Sequence, residues 1–125
     1  MKLFTVDEAN SLLPVVRPLA ERVRQTYRQV TSAQEAARRA AEGAALGGGG
    51  MAGGSAYVAA LAALAECAAR LEEMGVQLKD YERGLLDFPA LREGSVVLLC
   101  WHPGEGDRIE WWHDTEAGFA GRRPL

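Results

Sequence analysis

The side chains best suited to chemistry lie in the C-terminal part of this sequence. His113 is one of two histidines, and we expect it at the open end of a β-hairpin, where a loop carrying Asp87 converges with it. A histidine with one or two carboxylates is sufficient to bind a divalent metal ion or for acid–base chemistry. Asp80 is a further carboxylate candidate, and Arg122 is a bidentate donor suited to steering an anion.

The same residues also fit a purely structural network, because a buried histidine or aspartate needs hydrogen-bond partners in any fold. That network is the competing interpretation of His113 and its neighbours. Glu105 is the last polar candidate. We expect it at the tip of the hairpin, far from His113, so that any role of Glu105 is separate.

Cys100, His102 and His113 are tempting zinc ligands, but the predicted strand register separates them. If residues 103–106 form the hairpin turn, Cys100 and His113 share a face and lie four residues apart, about 13 Å at 3.3 Å per residue. Zinc ligands must each lie within about 2.3 Å of one ion. The register therefore argues against such a site, and Cys100 and Cys67 are expected to be small buried apolar residues.

The elements that must position these residues begin with a long helix. Thr5 and Glu8 have the spacing of a capping box, which predicts a helix start near residue 6. Apolar residues then recur every seven positions, so we predict a helix over 6–42. Pro14 and Pro18 each remove a backbone donor, and we expect a bend there.

A second helix follows a glycine-rich segment. Residues 43–54 favour a flexible connector, since glycine disfavours a helix. Ser55 is a suitable cap for a helix over 55–79 that packs antiparallel to the first. Its second apolar face, with Val58 and Ala62, requires another partner.

The remaining sequence changes character. Gly84, Pro89 and Gly94 indicate a loop, and two segments rich in β-branched and aromatic residues predict strands over 95–102 and 107–113. We therefore predict an α+β fold in which a two-stranded β-hairpin packs at the open end of a long helical hairpin, with residues 1–125 forming one domain.

Composition excludes some classes of function. The net charge of −3 argues against nucleic-acid binding, which requires clustered basic residues. No segment resembles a membrane span of about 20 apolar residues or a signal peptide, so we expect a cytoplasmic protein without a membrane partner.

Short motifs are distributed along nearly the whole chain. They are Phe4-Thr5-Val6-Asp7-Glu8-Ala9-Asn10, Leu12-Leu13-Pro14, Leu78-Lys79-Asp80, Gly84-Leu85, Asp87-Phe88-Pro89, Cys100-Trp101, Gly104-Glu105, Trp112-His113, Gly118-Phe119 and Gly121-Arg122. With them the sequence resembles a bacterial family catalogued as domain of unknown function 2203. The resemblance implies a small cytoplasmic bacterial protein and supplies no reaction. It draws attention to five polar residues: Asp80, Asp87, Glu105, His113 and Arg122.

Three functions follow as hypotheses. The first is a self-associating interaction or assembly module that forms a homo-oligomer through the second apolar face of the second helix. The alternative is a metal-binding or hydrolytic site in which His113, with Asp87 or Asp80, holds a divalent ion beside Arg122. A third, less favoured, is a groove for a flat ligand lined by Trp101, Trp111 and Trp112.

Overall fold

A computed structural model describes residues 1–44 and 54–125, and it has two helices followed by a five-stranded antiparallel sheet. The α+β class is confirmed. The sheet order is β1-β2-β3-β4-β5, so each strand pairs with the next in sequence. The elements are α1 (Val6–Ala44), α2 (Gly54–Glu73), β1 (Gln77–Asp80), β2 (Leu85–Arg92), β3 (Ser95–Trp101), β4 (Trp111–Asp114), a 3₁₀ turn (Phe119–Gly121) and β5 (Arg123–Pro124).

The predicted capping box is present at the start of α1. The Thr5 amide donates to Glu8 Oε1 at 2.9 Å, and the Glu8 amide donates to Thr5 Oγ1 at 3.0 Å. Hydrogen bonds from the backbone and the side chain of Thr5 lower the pKa of the Glu8 carboxyl, because they stabilise its charged form. The helix runs through Pro14 and Pro18 and ends at Ala44. Residues 45–53 of the predicted connector lie outside the described residues.

The second helix is shorter than predicted, because it ends at Glu73 and not at residue 79. Gly75 has φ +81°, and its amide bonds the carbonyl of Glu72. The amide of Val76 bonds the carbonyl of Leu71. This pair of bonds around a left-handed glycine is the Schellman motif, which satisfies the last carbonyls and stops a helix. The following residues are released to form β1.

The segment predicted to be a loop around Pro89 is instead β2. β1 pairs with β2 only as far as Asp87, so Pro89 lies beyond the end of β1. The carbonyl of Pro89 accepts the Phe4 amide at 2.6 Å on that side, opposite to β3. The N–H and C=O of one strand residue point to the same edge of the strand. For Pro89 this is the edge facing Phe4, so the N–H that proline lacks is not needed for the hydrogen bonds between β2 and β3.

The predicted hairpin exists as β3 and β4, but its register was wrong by two residues. Cys100 lies opposite Trp111, and Leu98 lies opposite His113. The loop between β3 and β4 is longer than the predicted four-residue turn, because residues of α1 that are distant in sequence bind to it. Asn10 Oδ1 accepts a hydrogen bond from the Ile109 amide at 2.7 Å. The guanidinium of Arg17, also on α1, donates to the carbonyl of Gly106 in the loop.

The sheet buries two different faces. One face packs against the helices through Leu86, Phe88 and Leu99, which join α1 and α2 residues such as Val16 and Leu71 in the main core. Alternate strand residues point to the other face. This outer face contains Asp87, Cys100 and His113. The C-terminal segment continues the sheet as β5 beside β4, and the Arg122 guanidinium lies over the ring of Trp111, which is the Cα partner of Cys100.

Gly84 provides a test of how the sheet is attached to α1. It has φ +66°, and a Cβ there would lie 2.7 Å from the carbonyl oxygen of Ala20. We expect Gly84→Ala to lower the free energy of unfolding by about 3 kcal/mol, since strain and overlap act together. Gly94→Ala is the control: Gly94 has φ +81° but no neighbour within 4 Å, so we expect a loss of about 1 kcal/mol. Urea unfolding measures both, and equal losses would contradict the close approach.

Candidate functional site

Three strands bring Asp87, Cys100 and His113 together on the outer face of the sheet. Asp87 in β2 is the Cα partner of Cys100 in β3, and His113 in β4 lies diagonally beside Cys100. The three residues are 1 %, 0 % and 2 % exposed respectively, so they are shielded from solvent. A carboxylate oxygen, the thiol sulfur and an imidazole nitrogen lie within 4.8 Å of one another.

The shortest side-chain contact in this cluster joins His113 and Asp87. Nε2 of His113 lies 3.1 Å from both Oδ1 and Oδ2 of Asp87. The other ring nitrogen, Nδ1, lies 2.7 Å from the backbone carbonyl of Asp114. A carbonyl only accepts, so Nδ1 must carry a hydrogen and donate. The imidazole is therefore fixed in orientation, with Nε2 directed at the carboxylate.

Cys100 is enclosed in the same cluster. Burial raises the pKa of its thiol to about 12, and the neighbouring Asp87 carboxylate contributes to the increase by its charge and by a hydrogen bond. The Arg122 guanidinium opposes the shift. The thiol is therefore protonated at neutral pH, which excludes Cys100 as a nucleophile in the metal-free protein, because the thiolate is the reactive species.

Arg122 and Glu105 form a second pair that adjoins this cluster. Nη2 of Arg122 lies 2.7 Å from each oxygen of Glu105 and 3.4 Å from the carbonyl oxygen of Cys100. Both side chains are largely buried, and the guanidinium lies over the rings of Trp111 and Phe119. Arg122 therefore connects the Glu105 carboxylate to the backbone carbonyl of Cys100. Glu105 was instead expected at the hairpin tip, far from His113.

The remaining sequence candidate is not part of the site. Asp80 accepts the Arg83 amide at 3.1 Å and lies 3.9 Å from the Arg83 guanidinium, in the turn between β1 and β2. Its side chain is 38 % exposed. It is a turn residue, and the structure gives no contact between Asp80 and His113.

The tryptophans do not form a shared groove in the part of the chain that the structure describes. Trp101 is buried in the core and donates to the carbonyl of Gly106. Its cation–π partner is Arg17, at 5.5 Å. Trp111 and Trp112 each lie under an arginine. Packing therefore accounts for these rings.

Cys100 was not predicted to be a member of the site. The predicted register separated Cys100 and His113 by about 13 Å, because a four-residue turn was assumed. The signal that was available is Ile109, an apolar residue of the predicted strand over 107–113, which instead lies buried in the loop before β4 with its amide bound to Asn10 of α1. Attaching Ile109 to the core lengthens the loop, and the resulting two-residue shift brings His113 to the cysteine.

The fold and the site together define a small α+β protein with a buried carboxylate, thiol and imidazole on the outer face of an antiparallel sheet. The chain belongs to DUF2203, a family described as an uncharacterised conserved protein, whose profile matches residues 2–125. The predicted family membership is confirmed. Comparison with curated proteins and with solved structures found no match.

The state of the Cys100 thiol can be measured directly. In metal-free native protein at pH 8, we expect thiol reagents to leave Cys100 unlabelled, because the side chain is buried and its pKa is raised to about 12. Unfolding in urea should make it reactive, since an unperturbed cysteine has a pKa of about 8.5. Peptide mass spectrometry distinguishes Cys100 from Cys67. Rapid labelling of Cys100 in the native state would contradict the enclosed geometry.

Proposed function

We propose that this protein binds a divalent metal ion between Asp87 and His113. The observation that carries the proposal is the approach of His113 Nε2 to both oxygens of Asp87, while Nδ1 is committed to the carbonyl of Asp114. Ligating histidines typically donate their other N–H to a carbonyl or carboxylate, which fixes the ring and directs the free nitrogen at the ion.

Electrostatics support a cation at this position. A neutral imidazole has one hydrogen, and the bond from Nδ1 uses it, so Nε2 then directs a lone pair at an anionic carboxylate 3.1 Å away. Two electron-rich groups at that distance require a proton or a metal ion between them. A tetrahedral zinc ion with bonds of about 2.1 Å separates its nitrogen and oxygen ligands by about 3.4 Å, so only a small movement is needed.

The surroundings favour ion binding over hydrolysis. Asp87 and His113 are 1 % and 2 % exposed, and the Arg122 side chain of the C-terminal segment reaches the same face, where it lies over Trp111. Arg122 is already paired with Glu105, so its guanidinium is not directed at an incoming anion. A groove of about 770 Å³ lies between α1 and α2, and neither Asp87 nor His113 lines it. The site therefore suits an enclosed ion better than a bulky substrate.

Metal-dependent stability tests this function. Protein purified without an affinity tag and treated with chelator should be stabilised by Zn²⁺ or Co²⁺, by about 2.7 kcal/mol at a free ion concentration about 100 times the Kd. We expect Asp87→Asn to abolish the stabilisation, because it removes the anionic ligand and preserves the volume of the side chain. Thermal unfolding with and without each ion is the measurement.

Two matched variants make this result specific. Asp80→Asn removes a carboxylate outside the site, and His102→Asn removes the other histidine, so both should keep the response to metal. If Asp87→Asn does not fold by circular dichroism, His113→Gln takes its place. If His113 and Asp87 form only a structural ion pair, no metal ion should stabilise the wild-type protein. That outcome would overturn the proposal.

A second candidate function is self-association through α2, with another copy of this chain as the partner. The specific observation is its exposed apolar face, where Val58 is 64 % exposed and Leu61 is 40 % exposed. Ala62, Ala65 and Ala69 are exposed beside them, and small side chains allow two helix backbones to approach closely. Such a face is costly to leave in water.

The same helix is also, by length and composition alone, apolar enough to cross a membrane. Its 18-residue window has a mean hydropathy of 1.2, and 17 % of that window is buried. Core helices of soluble proteins meet the same criteria. The sequence-based expectation of a cytoplasmic protein without a membrane partner therefore stays a prediction.

Sedimentation velocity tests the self-association. We expect a concentration-dependent oligomer that Val58→Glu converts to a monomer, because the charge would be buried at the contact between copies. Val15→Glu is the matched control, since Val15 is a 50 % exposed valine on α1. A wild type that is monomeric at every accessible concentration would contradict the candidate function.

A further inference from the structure

We infer that Cys100 is the third ligand of the ion held by Asp87 and His113, so that the site selects zinc-type ions over Mg²⁺, Ca²⁺ and Mn²⁺. The inference rests on the proposed function and deepens it, because it assigns the chemical class of the ion. A site of aspartate and histidine alone would accept many divalent ions. A thiolate ligand favours softer metal ions such as Zn²⁺ over Mg²⁺, Ca²⁺ and Mn²⁺.

The sheet register places Cys100 where a third ligand is needed. It is the direct Cα partner of Asp87 and the diagonal neighbour of His113, so all three side chains leave the same face of the sheet. Their donor atoms already lie within 4.8 Å of one another. A metal ion between them can be reached by small side-chain movements, without a change in strand pairing.

Charge balance favours three ligands over two in this enclosed position. An ion of charge +2 held by the Asp87 carboxylate and a neutral His113 leaves a net charge of +1 among buried residues. A buried net charge is strongly unfavourable. If the ion displaces the thiol proton of Cys100, a sulfur–metal bond forms and the proton leaves to solvent. The carboxylate, the thiolate and the ion then sum to zero.

A thiolate at Cys100 depends on the charge of the ion itself. Burial and the charges of Asp87 and Glu105 favour the protonated thiol in the metal-free protein, and only the Arg122 guanidinium, 3.4 Å from the Cys100 carbonyl, opposes them. A coordinating divalent ion deprotonates the thiol that binds it. Sulfur, nitrogen and oxygen donors are the set that zinc uses in proteins. Three protein ligands leave one position of a tetrahedral ion for a further ligand.

Cobalt substitution tests the inference, because a cobalt–thiolate bond gives a charge-transfer band in the near ultraviolet that carboxylate and imidazole do not give. We expect Co²⁺ added to the metal-free protein to produce this band, and excess Zn²⁺ to remove it. Cys100→Ser should lose the band. The chain has two cysteines, so Cys67→Ser is the matched control and should keep it.

The outcomes separate this inference from the function on which it rests. A band in Cys67→Ser assigns the thiolate to Cys100 even if Cys100→Ser does not fold. If Co²⁺ binds in a manner that Asp87→Asn abolishes, but without the charge-transfer band, the metal site stands and the role of Cys100 is overturned. If Co²⁺ and Zn²⁺ do not bind, both are overturned. Stabilisation by Mg²⁺ or Mn²⁺ equal to that by Zn²⁺ would also contradict the assigned ion class.

Discussion

The contact between the His113 imidazole and the Asp87 carboxylate sets the strictest requirement on this fold. Both side chains are almost fully buried, and an unpaired charge or donor there would be strongly unfavourable. The two residues lie on strands separated by β3, so the contact holds only when β2, β3 and β4 keep one register. A one-residue slip would turn one of the partners to the other face of the sheet.

The same requirement explains why the outer face of the sheet needs a cover. The helices bury the other face, and a polar cluster on an open face would be hydrated and loosely held. The chain instead returns beside β4 as β5, and Arg122, just before β5, binds Glu105 and the carbonyl of Cys100. Because Glu105 lies in the loop after β3 and Cys100 lies in β3, Arg122 links the C-terminal segment to two parts of the chain that are distant from it in sequence.

The two proposed roles belong to different parts of the molecule and do not compete. The metal site uses the outer face of the sheet, and self-association uses the exposed side of α2, while the main core lies between the sheet and the helices. The loop from β3 to β4 is nevertheless bound to α1, through Asn10 and Ile109. Asn10 of α1 therefore helps to hold the loop that precedes β4.

The sequence alone determined the local features of this protein. Thr5 and Glu8 defined the start of α1, because a capping box depends on residues three positions apart. Apolar periodicity identified both helices, and the chemistry of a histidine with carboxylates, together with the family resemblance, singled out His113 and Asp87. Only the tertiary structure decided what depends on distant contacts. Gly75 ended α2 early, Phe4 allowed Pro89 to lie in a strand, and α1 lengthened the loop before β4. The attachment of this loop to α1 accompanies the two-residue shift of register that brings Cys100 to His113, and it depends on a contact between residues 99 positions apart.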